Sequence, residues 1–158
     1  MKAIALLIGR VALGAVFVVA AVPKIADPPS FAHMISNYEL LPAPAVNPVA
    51  LFLPWLEFLT GLALATGVFG RTGAKLAAAL LGVFIVAIGI NLARGHLVQC
   101  GCFDVHAAEK SHAQLAREMY WVLARDLGLL ALAAWLSQSH ESAKRISRFL
   151  RKSQPEEK

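Results

Sequence analysis

Four apolar runs constrain the fold of this 158-residue chain more than any other feature. A bilayer core is about 30 Å thick and an α-helix rises ~1.5 Å per residue, so a run of ~20 apolar residues is long enough to span it. The short alternating strands of a closed barrel are missing from the sequence, and helices are then the remaining way to span a membrane. The predicted spans cover residues 4–22, 49–69, 72–93 and 120–136.

The charge content agrees with a membrane location. Only 16% of the residues are charged and 58% are apolar, whereas about a quarter of a typical soluble domain is charged. The predicted fold class is therefore all-α, an integral membrane four-helix bundle over residues 1–138 with a basic amphipathic tail at 139–158. The net charge of +5 does not indicate a nucleic-acid partner, because the basic residues lie beside apolar runs and favour contact with the lipid bilayer.

A proline-rich segment separates the first two runs. Its middle, residues 30–41, has apolar side chains at helical spacing, which predicts a short amphipathic helix on the membrane surface over the mouth of the bundle. Ser30 is its predicted N-cap and Pro42 its predicted stop. The tight connection through Gly70 and Arg71 predicts that the second and third spans are antiparallel neighbours.

The distribution of positive charge predicts the orientation. Nine basic residues lie on the side of the termini and four on the opposite side. Because cytoplasmic segments carry the excess of Lys and Arg, both termini are predicted to be cytoplasmic, in a bacterial inner membrane. The loop at residues 94–118 then faces the periplasm, where disulfides persist.

The only two cysteines, Cys100 and Cys102, lie in this loop with one glycine between them. Such a pair can form a strained and readily exchanged disulfide. It can also bind copper or zinc together with the loop histidines, or consist of two inert, packed thiols. The location of both cysteines beside a helix end favours redox chemistry.

Four charged residues fall within the predicted spans and are expected to face inward and pair. Glu57 and Arg125 lie at similar predicted depths, so they are expected partners, whereas Arg10 is expected to snorkel. The pair would either fix helix register or line a polar cavity that relays protons or holds a quinone headgroup. Arg94 would either stabilise a nearby thiolate or anchor a helix end. The four charged residues within the predicted spans are Arg10, Glu57, Arg125 and Asp126.

The chain resembles the MauE/DoxX group of small four-helix, redox-associated membrane proteins, and the Cys-x-Cys-Phe element points to the MauE branch. Asp104 and Ala21 depart from the family pattern, in which glycine is usual. The matching elements are Arg10-x3-Gly14-x2-Phe17, Lys24-Ile25-x-Asp27-Pro28, Phe31, Tyr38-x-Leu40-Leu41-Pro42, Pro54-x2-Glu57-x3-Gly61, Asn91-x2-Arg94-Gly95, Cys100-x-Cys102-Phe103 and Arg125-Asp126.

The resemblance implies thiol–disulfide chemistry outside the cytoplasm. Cys100 and Cys102 would then be the redox pair of a thiol–disulfide oxidoreductase, and Glu57, Arg94 and Arg125 would be cavity residues. The implied partners are a periplasmic thioredoxin-like protein or a maturing disulfide-containing protein, with a membrane quinone as a further acceptor. Two alternatives stay open: a structural or assembly subunit of a larger membrane complex, and a copper-handling protein.

Overall fold

The computed structural model describes residues 2–67, 70–97 and 111–152, with side chains over 4–67, 71–97 and 111–138. Within these ranges the secondary structure is helical, and four of the helices are long and apolar enough to cross a membrane. The predicted all-α membrane bundle is thus confirmed. The helices are α1 (Lys2–Ala26), α2 (Pro28–Asn37), α3 (Ala43–Thr66), α4 (Gly70–Ala93) and α5 (His112–Lys152).

Two of the predicted spans are too short at the end that lies next to a proline. Helix α1 continues through Pro23 to Ala26, and α3 begins at Ala43 rather than at residue 49. A proline within the first turn costs no intrahelical hydrogen bond, because the first amides have no partner there. Transmembrane helices also tolerate internal prolines when neighbouring helices satisfy the freed backbone groups. As a result Lys24, expected in a loop, lies inside α1.

Helix α2 is amphipathic as predicted, with Phe31 and Met34 buried, but both predicted boundaries are wrong. The N-cap is Asp27: its Oδ1 accepts a hydrogen bond from the backbone N of Ser30 at 3.1 Å, and its Oδ2 accepts one from Ser30 Oγ at 2.8 Å. Both residue types cap helices equally well, and Asp27 is the N-cap because α2 already begins at Pro28, two residues before the predicted serine. The helix ends at Asn37, and Pro42 instead precedes the first turn of α3.

The bundle is built from two extensive interfaces, α1 against α3 and α4 against α5. Helices α3 and α4 are neighbours, as predicted, and pack near their connected ends, where Leu64 lies against Gly73. The main core joins all four long helices and includes Leu13, Leu64, Leu81 and Leu136. Gly82 and Gly89 do not mark close helix contacts, since an added Cβ at either position would meet nothing within 4 Å.

Arg10 does not have the snorkelling role expected of it. Its Nη2 donates to the carbonyl oxygen of Leu64 at 3.4 Å, in the last turn of α3, where carbonyls lack intrahelical partners. Gly67 ends that helix with a φ of +80°, and its N–H donates to Ala63 O at 3.1 Å. Arg10 therefore helps to satisfy the C-terminal carbonyls of α3.

Helix α5 is the longest element, with 41 residues. It starts at His112, eight residues before the predicted span, so the second part of the predicted loop at 94–118 is helical. At its other end the backbone stays helical to Lys152. The predicted division into a bundle and a separate tail at residue 139 stays a prediction.

Candidate functional site

The buried polar centre of the bundle is an ion pair between α1 and α3. Lys24 Nζ donates to both carboxylate oxygens of Glu57, at 2.9 and 2.8 Å. Both side chains are almost completely excluded from solvent, at 4% and 2% exposure. A charge that is left unpaired in hydrocarbon costs several kcal/mol, so this bidentate contact stabilises two charges that neither helix could bury alone.

Two aromatic rings complete the surroundings of the lysine. Lys24 Nζ lies 5.2 Å from the ring centroid of Phe31 in α2 and 5.3 Å from that of Phe84 in α4. A cation within about 6 Å of an aromatic face is attracted by the ring quadrupole, more strongly when it is desolvated. The ammonium group therefore contacts residues of three other helices, α2, α3 and α4.

A second ion pair lies beside the first. Arg125 Nε and Nη2 both donate to Oδ1 of Asp126, at 2.9 and 2.8 Å. The Asp126 side chain is buried, whereas that of Arg125 is 24% exposed. Together the two pairs form a charge cluster of two cations and two anions (Lys24, Glu57, Arg125 and Asp126).

All four charged residues line one small cavity of about 30 Å³. A single buried water needs a cavity volume of roughly 10–15 Å³, whereas a benzene molecule occupies an engineered cavity of about 150 Å³. The cavity therefore has room for one or two waters and not for a quinone ring. Of the roles expected for a polar cavity here, holding a quinone headgroup does not fit.

Two of the three predicted cavity residues lie together in the structure, but they do not form the ion pair predicted between them. Glu57 and Arg125 line the same cavity, yet each has another partner, so the expected Glu57–Arg125 pair is wrong. The physical reason is that α1 extends past Pro23 and places Lys24 directly beside Glu57. Arg94 lies outside the cavity, exposed, in the turn after α4.

The predicted redox pair, Cys100 and Cys102, lies outside the described residues, as does the metal ligand candidate His106. The two described residues that flank this segment are Leu97 after α4 and Ser111 before α5. Leu97 packs against a buried cluster of Ile88, Met119 and Val122, and Tyr38, in the turn after α2, packs against the same cluster. The segment therefore starts at the end of the bundle where α2 lies.

The turns after α2 and α4 lie close together at the same end. His96 Nδ1 is 4.0 Å from Glu39 Oε2, and both side chains are exposed. The charge cluster lies deeper. Phe84, which contacts Lys24, is nine residues from the end of α4, so the cluster is ~14 Å below that end along the helix.

Sequence reasoning missed Lys24 and the two rings around it. Lys24 follows Pro23 and was expected in the loop between the first two spans. Its neighbours in the sequence are nevertheless apolar, and the next polar residue is Asp27. That isolation within an apolar context was the available signal. Lys24 and Phe31 also belong to the elements that the chain shares with the MauE/DoxX group. Phe84 had no such signal, since a phenylalanine in an apolar run is ordinary core composition.

The fold and the buried cluster define a small helical membrane protein with four spanning helices and internal ion pairs. The chain matches the family "Methylamine utilisation protein MauE" over residues 2–138, and it belongs to that family. It is 36% identical over 126 residues to the methylamine utilization protein MauE of Paracoccus denitrificans, covering 78% of this chain and 63% of that protein. No solved structure matches the chain.

Two further relatives carry the same name. The protein of Methylorubrum extorquens is 34% identical over 117 residues, which are 73% of this chain and 59% of that protein. The protein of Methylophilus methylotrophus is 40% identical over 88 residues, 55% of this chain and 46% of that protein. The matches thus span about half to two thirds of the length of these relatives.

Proposed function

We propose that this chain is a thiol–disulfide redox protein of the bacterial inner membrane and serves methylamine utilisation, as the names of its relatives state for them. Cys100 and Cys102 exchange electrons with a periplasmic thioredoxin-like protein or a maturing disulfide-containing protein. The observation that supports this most is the topology: the cysteine segment connects two spanning helices at the end of the bundle that α2 and its turn also occupy. In this proposal the pair reacts with a soluble partner at that end of the bundle.

The proposed exchange proceeds through a mixed disulfide. A thiolate of the reduced pair attacks one sulfur of the partner's disulfide, which breaks that bond and forms the intermolecular one. The second cysteine then attacks the first, closes the Cys100–Cys102 disulfide and releases the partner as a dithiol. Two electrons and two protons pass from one pair to the other, and the reverse sequence oxidises the partner.

Arg94 and the charge cluster have different proposed roles. Arg94 is exposed in the turn after α4 and lies six residues before Cys100 in the sequence, and its proposed role is to stabilise a thiolate. Glu57 is buried and Arg125 partly buried, each is paired with an oppositely charged side chain, and the cluster lies ~14 Å below the helix end. That pairing supports a scaffold role, in which the cluster fixes the register of α1, α3 and α5.

A membrane quinone, when bound, would supply a two-electron, two-proton acceptor for the dithiol. The competing function is that of an assembly subunit in a larger membrane complex, with the cysteines as an inert staple.

The deciding experiment measures the redox state of the cysteine pair in the full chain, by mass shift after thiol alkylation across graded glutathione or dithiothreitol buffers. We expect a reversible transition at roughly −120 to −270 mV, the range of known exchange proteins. Cys100→Ser and Cys102→Ser should each abolish exchange with thioredoxin, and one of them should trap a mixed disulfide. A pair that resists reduction below about −300 mV, or full in vivo function of the double Cys→Ser variant, would contradict the proposal.

A further inference from the structure

Arg10 is a charged side chain inside a spanning helix, and none of the described residues forms an ion pair with it. It lies in the candidate span Ile4–Ala26 of α1. Lys24 and Arg125, by contrast, are each paired with a carboxylate within the bundle. An unpaired charge is strongly disfavoured in hydrocarbon, so Arg10 is a candidate to bind an anion from outside the described part of the chain.

The guanidinium group of Arg10 also has hydrogen-bonding capacity that the described residues do not use. An arginine side chain carries five N–H donors, and Nη2 donates to the carbonyl oxygen of Leu64 at a long 3.4 Å. Its Nε is buried and has no hydrogen-bond partner in the same part of the chain. The side chain as a whole is only partly buried, so part of it is open to a ligand from outside.

The backbone around this guanidinium leaves space for it and adds positive potential. A Cβ on Gly67, the residue that ends α3, would overlap with Nη2 of Arg10. Leu64, whose carbonyl oxygen accepts from Arg10, also packs against Gly73 in the first turn of α4. That first turn contains Arg71 and no acidic residue, and the first amides of a helix attract anions. The guanidinium therefore lies where α3 ends and the positive end of α4 begins.

This position is at the depth of the lipid headgroups. Leu64 lies two residues before the end of α3, which is ~3 Å along the helix axis, and the candidate span of α3 ends at the same residue as the helix. A Cβ on Gly9, next to Arg10, would lie 3.8 Å from the ring of Trp135 in α5, and tryptophan is enriched at the membrane–water interface. Leu7, one turn before Arg10, is 58% exposed, so acyl chains can pack beside the site.

We propose that Arg10, beside Arg71 and the first turn of α4, binds the phosphate group of an anionic phospholipid. The guanidinium keeps its hydrogen bond to Leu64 O and donates further N–H groups to the phosphate oxygens, a geometry that its planar fork suits. The lipid supplies the negative charge that Lys24 and Arg125 find within the bundle. This inference is independent of the proposed redox function, because the site lies at the opposite end of α3 and α4 from the cysteine segment.

The test is native mass spectrometry of the full chain released from nanodiscs that contain phosphatidylglycerol and phosphatidylcholine in equal amounts. We expect bound phosphatidylglycerol to be retained. Arg10→Gln should weaken its retention about tenfold or more, through the loss of charge-assisted hydrogen bonds. Lys75→Gln removes an exposed cation near the same end of α4 and should leave retention unchanged. Arg10→Lys keeps the charge without the planar fork and should retain the lipid better than Arg10→Gln.

Solid-state NMR locates the phosphate in the unmodified chain, so that a folding defect of a variant cannot decide the result. With isotope-labelled arginine, the Cζ signal of Arg10 should be attenuated by dipolar coupling to the lipid phosphorus. The signal is assigned by its loss in Arg10→Lys. An Arg10 signal without attenuation, or equal retention of phosphatidylglycerol by Arg10→Gln and Lys75→Gln, would overturn the proposal.

Competition with inorganic phosphate distinguishes a lipid headgroup from a soluble anion. Excess phosphate should not displace the bound phosphatidylglycerol, because the acyl chains add apolar contacts that the free ion lacks. Complete displacement by inorganic phosphate would show that the site binds a soluble anion and would overturn the assignment to a lipid. Retention of phosphatidylcholine as strong as that of phosphatidylglycerol would likewise contradict the selection of an anionic lipid.

Discussion

Gly14 and Gly61 bring the backbones of α1 and α3 into direct contact. A Cβ on Gly14 would lie 2.6 Å from the carbonyl oxygen of Gly61, and a Cβ on Gly61 would lie 2.7 Å from that of Gly14. Because the neighbouring atoms are backbone, they cannot move aside as a flexible side chain would. This reciprocal contact fixes how α1 lies on α3, and with it the distance between Lys24 and Glu57.

The first prediction follows from this contact. We expect Gly14→Ala to destabilise the protein by about 1–3 kcal/mol, since the added methyl group forces the two helices apart. Gly82→Ala is the matched control, because a Cβ there meets nothing within 4 Å, and it should be neutral or stabilising through its higher helix propensity. Thermal unfolding in detergent measures both. Equal melting temperatures for the two variants would contradict the role of the glycine contact.

The second prediction concerns the buried ion pair. Lys24→Met leaves the Glu57 carboxylate buried without its bidentate partner, and breaking a buried pair in this way costs about 3–5 kcal/mol. Lys75→Met, at an exposed position of α4, removes the same charge without such a loss. Unfolding by chemical denaturant should separate the two variants clearly.

A double variant tests whether the loss comes from the unpaired charge. Lys24→Met combined with Glu57→Met removes both charges, and replacing a buried pair with apolar residues is often neutral or stabilising. The double variant should therefore be more stable than Lys24→Met alone. If it is less stable, the charges have another partner that matters more than their mutual contact.

The third prediction tests the N-cap of α2. Asp27→Ala removes the acceptor for the Ser30 amide and should cost about 1 kcal/mol, with the loss localised to α2. Hydrogen–deuterium exchange should be faster in α2 and unchanged in the buried centre of α4. Ser36→Ala, which removes an exposed hydroxyl that donates to His33 O at 2.7 Å, should leave exchange in α2 nearly unchanged. Comparable acceleration by both substitutions would show that Asp27 is not the capping residue.

The spanning helices were predictable because an apolar run inside a bilayer must satisfy its backbone hydrogen bonds within itself, as a helix does. Backbone hydrogen bonds within a helix are local, so the existence of α1, α3, α4 and α5 needs no knowledge of their neighbours. Helix ends were less predictable. At Pro23 and Pro42 the local rule indicated a boundary, and the structure instead accommodates the prolines in or beside a helix.

The N-cap of α2 is a further helix boundary that local residue types alone did not predict. Both Asp27 and Ser30 are residue types that cap helices, and they hydrogen-bond to each other. Which of them precedes the first turn depends on where α1 ends. Helix α1 continues through Pro23 to Ala26, and Asp27, which precedes Pro28, then has non-helical backbone with a φ of −136° and a ψ of 78°.

The sequence by itself determined that this chain forms spanning helices, that charged residues inside them must pair, and that two cysteines lie in one connecting segment. Only the tertiary structure decided which charges meet. Lys24 and Glu57 are 33 residues apart, and their contact depends on the rotation and lateral order of α1 and α3, which hydrophobic runs do not encode. The small cavity beside the charge cluster likewise exists only where α1, α3, α4 and α5 come together, because a cavity is the space between helices and belongs to none of them alone.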